Sequence, residues 1–222
     1  MKNNIKNLLL VVLLSCFVCA CASSKAAKDE SSADTNKAAS ASSSSSKSSS
    51  SFESFYVYDD FMSQKNHFAP SGWMGDFGDL KLDQSCSESP KTGKTCIKIT
   101  YTGEMKQGAG WTGIFWQQPA NNWGDKKGGF DLTGATKLTF WAKGAKGGEK
   151  IAEFKMGGIT GEYPDSDSAA VGPIELTKKW EQYSIDLAGK DLSHVIGGFC
   201  FAASKDDNSE GFVIYLDDIM YE

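Results

Sequence analysis

Hydrophobic and polar residues alternate with a period of two through most of residues 52–222. In one segment, Ile97 and Ile99 alternate with Lys98 and Thr100. This period is typical of strands with one face against a core and the other in solvent. It recurs at 137–142, 152–156 and 182–187, and further strand candidates lie at 55–61, 73–82, 111–117, 171–176, 195–202 and 212–221. Because no sustained helical period accompanies them, these short strands predict an all-β fold, a two-sheet antiparallel β-sandwich.

The first 20 residues carry the pattern of an export signal. Two lysines precede an unbroken apolar run at 8–14, which is too short to span a bilayer. The segment ends at residues 18–21, VCAC, which resembles the bacterial lipobox. That resemblance implies cleavage before Cys21 and acylation of Cys21. The alternative is a plain signal peptide cut after Ala20, in which Cys21 is incidental.

Residues 21–51 are almost entirely Ser, Ala and Lys after Cys21. Such a composition cannot bury enough apolar area to offset the cost of ordering, so we predict a disordered tether between the lipid and a domain at 52–222. Ala22, rather than Asp, follows Cys21. We therefore expect a lipid-anchored protein of the bacterial cell envelope, on the outer membrane where the cell has one.

Charge and histidine content exclude several functions. The formal net charge is −5 and the chain contains no arginine, so we do not expect a nucleic-acid partner. His67 and His194 are the only histidines, which leaves little material for a His-based triad or a zinc site.

Three cysteines lie in the predicted domain. Cys86 and Cys96 flank a short polar loop between two strand candidates, and an exported compartment permits a disulfide between them. Cys200 lies between two phenylalanines, and we expect it to be a buried free thiol.

Several segments resemble a known family when taken in order along the chain. They are GWTGIFWQ at 110–117, PANNWG at 119–124, FDLTGAT at 130–136, LTFWAKG at 138–144, WEQY at 180–183, IDL at 185–187 and IYLDDI at 214–219. Together they are similar to the galactose-binding-like jelly-roll domains near the family 11 carbohydrate-binding modules. The resemblance implies a jelly-roll sandwich that binds polysaccharide without catalysis, and a structural calcium ion where the terminal strands meet.

Clustered aromatic residues provide the candidate sugar platform. Trp111, Trp116 and Trp123 fall close together and are interleaved with amides that include Asn121 and Asn122. Aromatic rings stack on the C–H faces of pyranoses while polar side chains bind the hydroxyls. The alternation places Trp116 on the strand face opposite Trp111. The other interpretation is that these tryptophans only pack the sandwich and its loops.

A second group of candidates comes from other strands and a loop. Trp141 is predicted to face away from the core, and Glu153 and Lys155 are predicted on the polar face of a nearby strand. Tyr163 lies in a polar loop that could form a second rim or could simply be solvated. We therefore add these four residues to the candidate ligand site.

Asp60 and Asp218 are the candidate calcium ligands, in the first and last strands. Calcium takes six to eight oxygen ligands, so a crossing of acidic strands suits it. The alternatives are that Asp218 accepts hydrogen bonds from a loop backbone and that Asp60 caps a turn.

Three functions remain open. The first is a monomeric, non-catalytic lipoprotein that binds polysaccharide. The second is a structural or assembly lipoprotein that contacts another envelope protein or the cell's own glycan. The third is a glycan hydrolase or lyase, for which Glu153, Glu162, Asp165 and Asp167 supply carboxylates, although nothing in the sequence shows a pair that converges.

Overall fold

The computed structural model describes residues 52–222. The predicted signal peptide at 1–20, the lipid site at Cys21 and the predicted tether at 21–51 lie outside the described residues, so those predictions stay predictions. Within the described part, no helix is long and apolar enough to cross a membrane.

Residues 52–222 form thirteen strands and one turn of 3₁₀ helix, Phe77–Asp79. The strands are β1 Phe55–Tyr58, β2 Ala69–Gly75, β3 Leu80–Cys86, β4 Cys96–Tyr101, β5 Trp111–Gln117, β6 Lys137–Gly144, β7 Lys150–Ile151, β8 Glu153–Gly157, β9 Ser168–Val171, β10 Ile174–Glu175, β11 Glu181–Asp186, β12 Gly197–Ser204 and β13 Phe212–Tyr221.

Two antiparallel sheets contain nearly all of these strands. Sheet I has the order β11-β6-β13-β4-β3, with β1 also paired to β13. Sheet II has the order β2-β5-β12-β8-β9, and β7 and β10 form a small third sheet. The prediction of an all-β, two-sheet antiparallel sandwich is therefore confirmed.

The core lies between the two sheets and is rich in aromatic rings. The Phe140 ring of sheet I lies 4.6 Å from the Phe154 ring and 5.2 Å from the Phe199 ring, both of sheet II, between centroids. Trp116 also belongs to this core, with its ring 5.5 Å from that of Phe199. Alternate side chains along each strand therefore point into the core and pack against the opposite sheet.

Two runs that were each predicted as one strand are divided into two strands in the structure. The run at 73–82 is divided between β2 in sheet II and β3 in sheet I, with the 3₁₀ turn between them. The run at 171–176 is divided between β9 and β10 at Gly172 and Pro173. Proline cannot donate to a strand ladder, which accounts for the second break.

Cys86 and Cys96 are direct cross-strand partners in the β3–β4 ladder. Within residues 52–222, these two cysteines and Cys200 are all buried free thiols. Burial raises the pKa of the Cys96 thiol to about 12, and the neighbouring Cys86 raises it as well. The pairing matches the expected position of a disulfide, but the bond is not formed in this structure and stays a prediction.

Candidate functional site

The outer face of sheet II, the face directed away from the core, carries the candidate site. On β5, Ile114 and Trp116 belong to the core, whereas Phe115 belongs to a separate apolar cluster on the outer side. Trp111 and Phe115 therefore share the outer face, as the alternation predicted. Cys200 and Met74 pack in the same outer cluster as Phe115.

Small residues form the floor of this face. Gly113 pairs with Ala202 across the β5–β12 ladder, and Ala202 pairs with Glu153 across the β12–β8 ladder. A Cβ atom on Gly113 would lie 2.6 Å from the Phe201 carbonyl oxygen, so this position has no room for a side chain. The floor is consequently lower than the aromatic residues at either end of β5.

Two exposed indole rings stand at the two ends of the floor. Trp111, at the start of β5, is 41% exposed, and Trp123 is 44% exposed. Trp123 belongs to residues 118–129, which we name the tryptophan loop, and its ring packs edge-on against Phe115 at 6.1 Å between centroids. The distance along β5 from Trp111 to Phe115 is about 14 Å at the usual rise of a strand. These rings are large apolar surfaces that water reaches.

Charged side chains line the remaining side of the face. Lys155 pairs with Cys200 across the β12–β8 ladder, and its Nζ lies 5.4 Å from the centroid of the Phe115 ring. Glu153 lies two positions earlier on the same face and is half-buried. Two shallow depressions meet at Glu153. One, of about 300 Å³, includes Trp111 and Ala202 in its lining, and the other, of about 440 Å³, includes Lys155.

A larger cavity of about 630 Å³ lies at the end of the sandwich, where β4 ends and β13 begins. Its aromatic lining residues, Tyr101 and Phe212, are 2% and 5% exposed. Because neither ring is open to solvent, this cavity lacks a stacking surface.

Asn121 and Asn122 have different positions in the tryptophan loop. Asn121 is exposed, while Asn122 is completely buried. The Asn122 Oδ1 accepts hydrogen bonds from the backbone N–H groups of Gly124 and Lys126, and its Nδ2 donates to the carbonyls of Gln118 and Lys126. The prediction of Asn122 as a ligand residue is therefore wrong, because its amide is fully used in shaping the loop.

Tyr163 belongs to residues 158–167, which we name the tyrosine loop. Its backbone N–H donates to the Gly124 carbonyl at 2.9 Å, so the two loops are directly joined. The Tyr163 ring is half-buried, with the Lys127 Nζ 5.8 Å from its centroid. Tyr163 thus lies beside the tryptophan loop at the Trp123 end of the face.

Two predicted platform residues lie elsewhere. Trp116 is fully buried in the core, so it cannot meet a ligand. Trp141 does face outward, but from sheet I, and the Lys91 Nζ lies 3.9 Å from its ring centroid. Trp141 is therefore on the opposite side of the sandwich from Glu153 and Lys155, and a lysine already covers its ring.

Asp60 and Asp218 do come close to one loop, at residues 91–95. Asp60 accepts hydrogen bonds from the backbone N–H groups of Lys94 and Thr95 and from the Thr95 hydroxyl. Both Asp218 oxygens are within hydrogen-bond distance of the Thr92 hydroxyl. Within residues 52–222, no group of three or more Asp, Glu, His or Cys residues is arranged to hold a metal.

The donors around these carboxylates do not fit a calcium site. Calcium needs six to eight oxygen ligands, whereas N–H groups face Asp60 here. The neighbouring Asp217 is fully buried, and its Oδ2 also accepts backbone N–H groups, from Lys91 and Thr92. Burial raises the pKa of Asp217 to about 7, although those two N–H groups act to lower it. The calcium ion therefore stays a prediction that this arrangement does not favour.

Sequence reasoning missed Met74, which packs into the outer cluster of this face. Its neighbour Trp73 pairs with the core residue Ile114, so it lies on the other side of the edge strand β2, where it is 37% exposed. Both lie in the run that was predicted as part of one long strand. The only feature of the sequence that indicated an interruption of this run was the pair of glycines at 72 and 75, because glycines in a strand often mark an irregularity.

The chain matches no protein-family model and no curated protein sequence. Among solved structures, it is similar to the family 30 carbohydrate-binding module of the cellulosomal cellulase Cel9D-Cel44B of Clostridium thermocellum. The identity is 16%, the TM-score is 0.51, and the match covers 77% of this chain and 97% of that one. A second family 30 module has 16% identity and a TM-score of 0.53, over 77% of this chain and 98% of its own.

The similarity to the family 30 structures shows that this chain has the same fold as they do. A family 11 module of the cellulosomal cellulase Lic26A-Cel5E of Clostridium thermocellum is more distant, with 17% identity and a TM-score of 0.46 over 73% of this chain and 91% of that one. The resemblance to jelly-roll carbohydrate-binding domains is thus confirmed for the fold, with family 30 as its support.

Proposed function

We propose that residues 52–222 bind a polysaccharide on the outer face of sheet II and carry out no chemistry on it. The observation that carries this proposal is the pair of exposed rings, Trp111 and Trp123, at the two ends of a floor of small residues. Exposed apolar surfaces that lie together on one face and are rimmed by polar residues mark interaction sites, whereas apolar residues exposed singly do not. Stacking on sugar rings is the contact that flat, isolated aromatic surfaces suit.

The polar residues of this face suit the rest of a sugar. Glu153 and Lys155 lie on β8, along one side of the floor, and can bind hydroxyl groups as acceptor and donor. The span of about 14 Å along β5 accommodates several sugar rings in a chain rather than one. The family 30 structures are named as carbohydrate-binding modules, which supports the same ligand class.

The proposal places the domain at the cell surface. A lipid on Cys21 would hold the chain in the envelope, on the outer membrane where there is one, and residues 21–51 would let a monomeric domain reach a glycan. Keeping polysaccharide close to the cell, or to separate enzymes on the surface, is the role that this arrangement serves.

The test is affinity electrophoresis of residues 52–222 against a panel of soluble polysaccharides, followed by calorimetry on any that retard the protein. We expect Trp111→Ala and Trp123→Ala each to weaken binding by about five- to 150-fold, taking as a guide the roughly 1–3 kcal/mol that stacking of a nucleic-acid base on one aromatic ring contributes. Trp141→Ala is the matched control on sheet I and should bind as the wild type does.

Three outcomes would contradict the proposal. Equal loss of binding in Trp141→Ala would move the site to sheet I. Retardation by no polysaccharide, together with a protein partner in a pull-down, would favour the assembly role. Release of reducing ends or unsaturated products would show that the protein is an enzyme.

A further inference from the structure

The ring of His194 lies between the two loops that border the candidate binding face. Its Nδ1 is 2.6 Å from the Pro164 carbonyl oxygen, which belongs to the tyrosine loop. Its Nε2 is 2.8 Å from the Gly128 carbonyl oxygen, which belongs to the tryptophan loop. Both distances are within hydrogen-bond range, so both ring nitrogens are engaged at once.

The two contacts can both be hydrogen bonds in only one form of the ring. A carbonyl oxygen only accepts hydrogen bonds, and a neutral imidazole has one N–H and one acceptor nitrogen. A neutral His194 could therefore satisfy either Pro164 or Gly128, and its bare nitrogen would face the other oxygen. Only the imidazolium, with two N–H groups, donates to both carbonyls.

We infer that protonated His194 is a clamp that holds the tryptophan loop and the tyrosine loop together beside the binding face. His194 is a positioning residue: it reaches the ligand only through Trp123 and Tyr163, which those loops carry. Its effect on glycan affinity rests on the proposed function, whereas the clamp itself does not.

The backbone around His194 keeps the ring in place in either charge state. The His194 carbonyl accepts the Ser166 N–H at 2.8 Å, and the His194 N–H donates to the Ser166 Oγ at 3.2 Å. Tyr163 and Gly124 join the two loops by a separate hydrogen bond. Loss of the proton should therefore loosen the loops rather than release them.

Charged residues of both signs lie in the segments packed around the ring. Asp165, in the tyrosine loop, accepts backbone N–H groups from Ile159, Ile196 and Gly197. Burial raises the pKa of Asp165, while the charge of His194 acts in the opposite direction. The other charged residues of the three packed segments are Asp125, Lys126, Lys127, Glu162, Asp167, Lys190 and Asp191. Among them, Lys190 is already paired with Asp167 at 3.1 Å.

Nitrogen-15 NMR of the histidine rings tests the clamp directly, because the chain has only two histidines. Histidine changes charge between about pH 5 and pH 8, so spectra are recorded at both ends of that range. At the acidic end we expect both His194 nitrogens to carry protons that exchange slowly with water. At the basic end we expect one such proton, and faster amide exchange in residues 118–129 and 158–167. His67 stacks on Phe55 at 3.9 Å, and serves as the internal reference.

Glycan affinity is measured over the same range for the wild type, His194→Gln and the control His67→Gln. We expect wild-type affinity to fall about two- to tenfold from the acidic to the basic end, the range that one lost hydrogen bond spans. Glutamine is uncharged and cannot reach both carbonyls from opposite ends. At the acidic end His194→Gln should therefore bind about as weakly as the wild type does at the basic end, and it should lose the pH dependence, while His67→Gln should keep it.

Two results overturn the inference. One is a His194 ring that carries only one slowly exchanging proton at the acidic end. The other is a His194→Gln variant whose loop exchange and pH profile equal those of the wild type. If no polysaccharide binds at any pH, the proposed function fails, and the NMR and exchange results still decide whether the clamp exists.

Discussion

Trp111 and Trp116 lie on the same strand, but their rings meet different surroundings. Trp116 is fully buried and packs on Phe199, whereas Trp111 is 41% exposed. The Trp116 Nε1 is buried and has no hydrogen-bond partner in residues 52–222. The value of this ring to the protein therefore comes from its apolar surface and volume, not from its N–H group.

Trp116→Ala should lower the free energy of unfolding by about 3–5 kcal/mol, because the substitution leaves a large cavity between the sheets. Trp116→Phe should cost clearly less, since it keeps a ring and removes a buried N–H without a partner. Trp111→Ala should change stability by about 1 kcal/mol or less, as is usual for an exposed residue. Denaturant unfolding measures all three.

Polysaccharide binding by the same variants distinguishes a tryptophan of the core from a tryptophan of the binding face. Trp116→Phe should bind polysaccharide as the wild type does, and Trp111→Ala should not. A Trp116→Phe variant that folds fully and binds weakly would show that this indole touches the ligand after all.

For single residues, the sequence predicted which way a side chain points but not what surrounds it. Alternation placed Trp111 and Phe115 on one face and Trp116 on the other, and predicted that Trp141 faces outward. It could not show that Trp141 belongs to the other sheet or that Lys91, from a distant loop, covers its ring. The burial of Asn122 was equally hidden, because the backbone groups that hold it come from the loop's own conformation.

At the scale of elements, the break between β2 and β3 depends on Asp76. This buried carboxylate accepts backbone N–H groups from Gln107, Ala109 and Gly110. It thereby ties the start of the 3₁₀ turn to the loop before β5. A pattern of alternating residues at 73–82 contains no sign of these donors, which lie about 30 positions later, so one continuous strand was predicted.

Asp76→Ala should lower the melting temperature at neutral pH by several degrees, because three N–H groups lose their acceptor. Although burial raises the pKa of Asp76, the N–H donors outweigh it and hold the pKa below its ordinary value. A lowered pKa gives stability that is present above the unfolded value, about 3.9, and is lost as the pH falls through the folded value. The difference from the wild type should therefore shrink in acid.

Thermal unfolding monitored by circular dichroism between about pH 3 and pH 7 measures this difference. Asp207→Ala, at an exposed carboxylate, is the control and should match the wild type throughout. A gap between Asp76→Ala and the wild type that stays constant into acid would show that the charge of Asp76 is not what holds the loop.

At the scale of the whole molecule, the two outer faces of the sandwich differ. Residues 87–95 cover part of sheet I: the Ser89 carbonyl accepts the Trp180 Nε1–H, and Asp217 holds the Lys91 backbone. The outer face of sheet II instead has the exposed rings Trp111 and Trp123. The alternation predicted a sandwich with two polar faces, but only the loop contacts decide which face stays open.

The proposed envelope role depends on Cys21, because a lipid on this residue would keep the open face at the cell surface. In a bacterial host with two membranes, the full chain should fractionate with membranes and incorporate labelled palmitate. Cys21→Ala should do neither, because two or three acyl chains are what make such an anchor durable. Cys16→Ala, which lies within the predicted signal peptide and just before the VCAC segment, should behave as the wild type does. Membrane association of Cys21→Ala, with no lipid found on the wild type, would show that the VCAC sequence is not a lipobox.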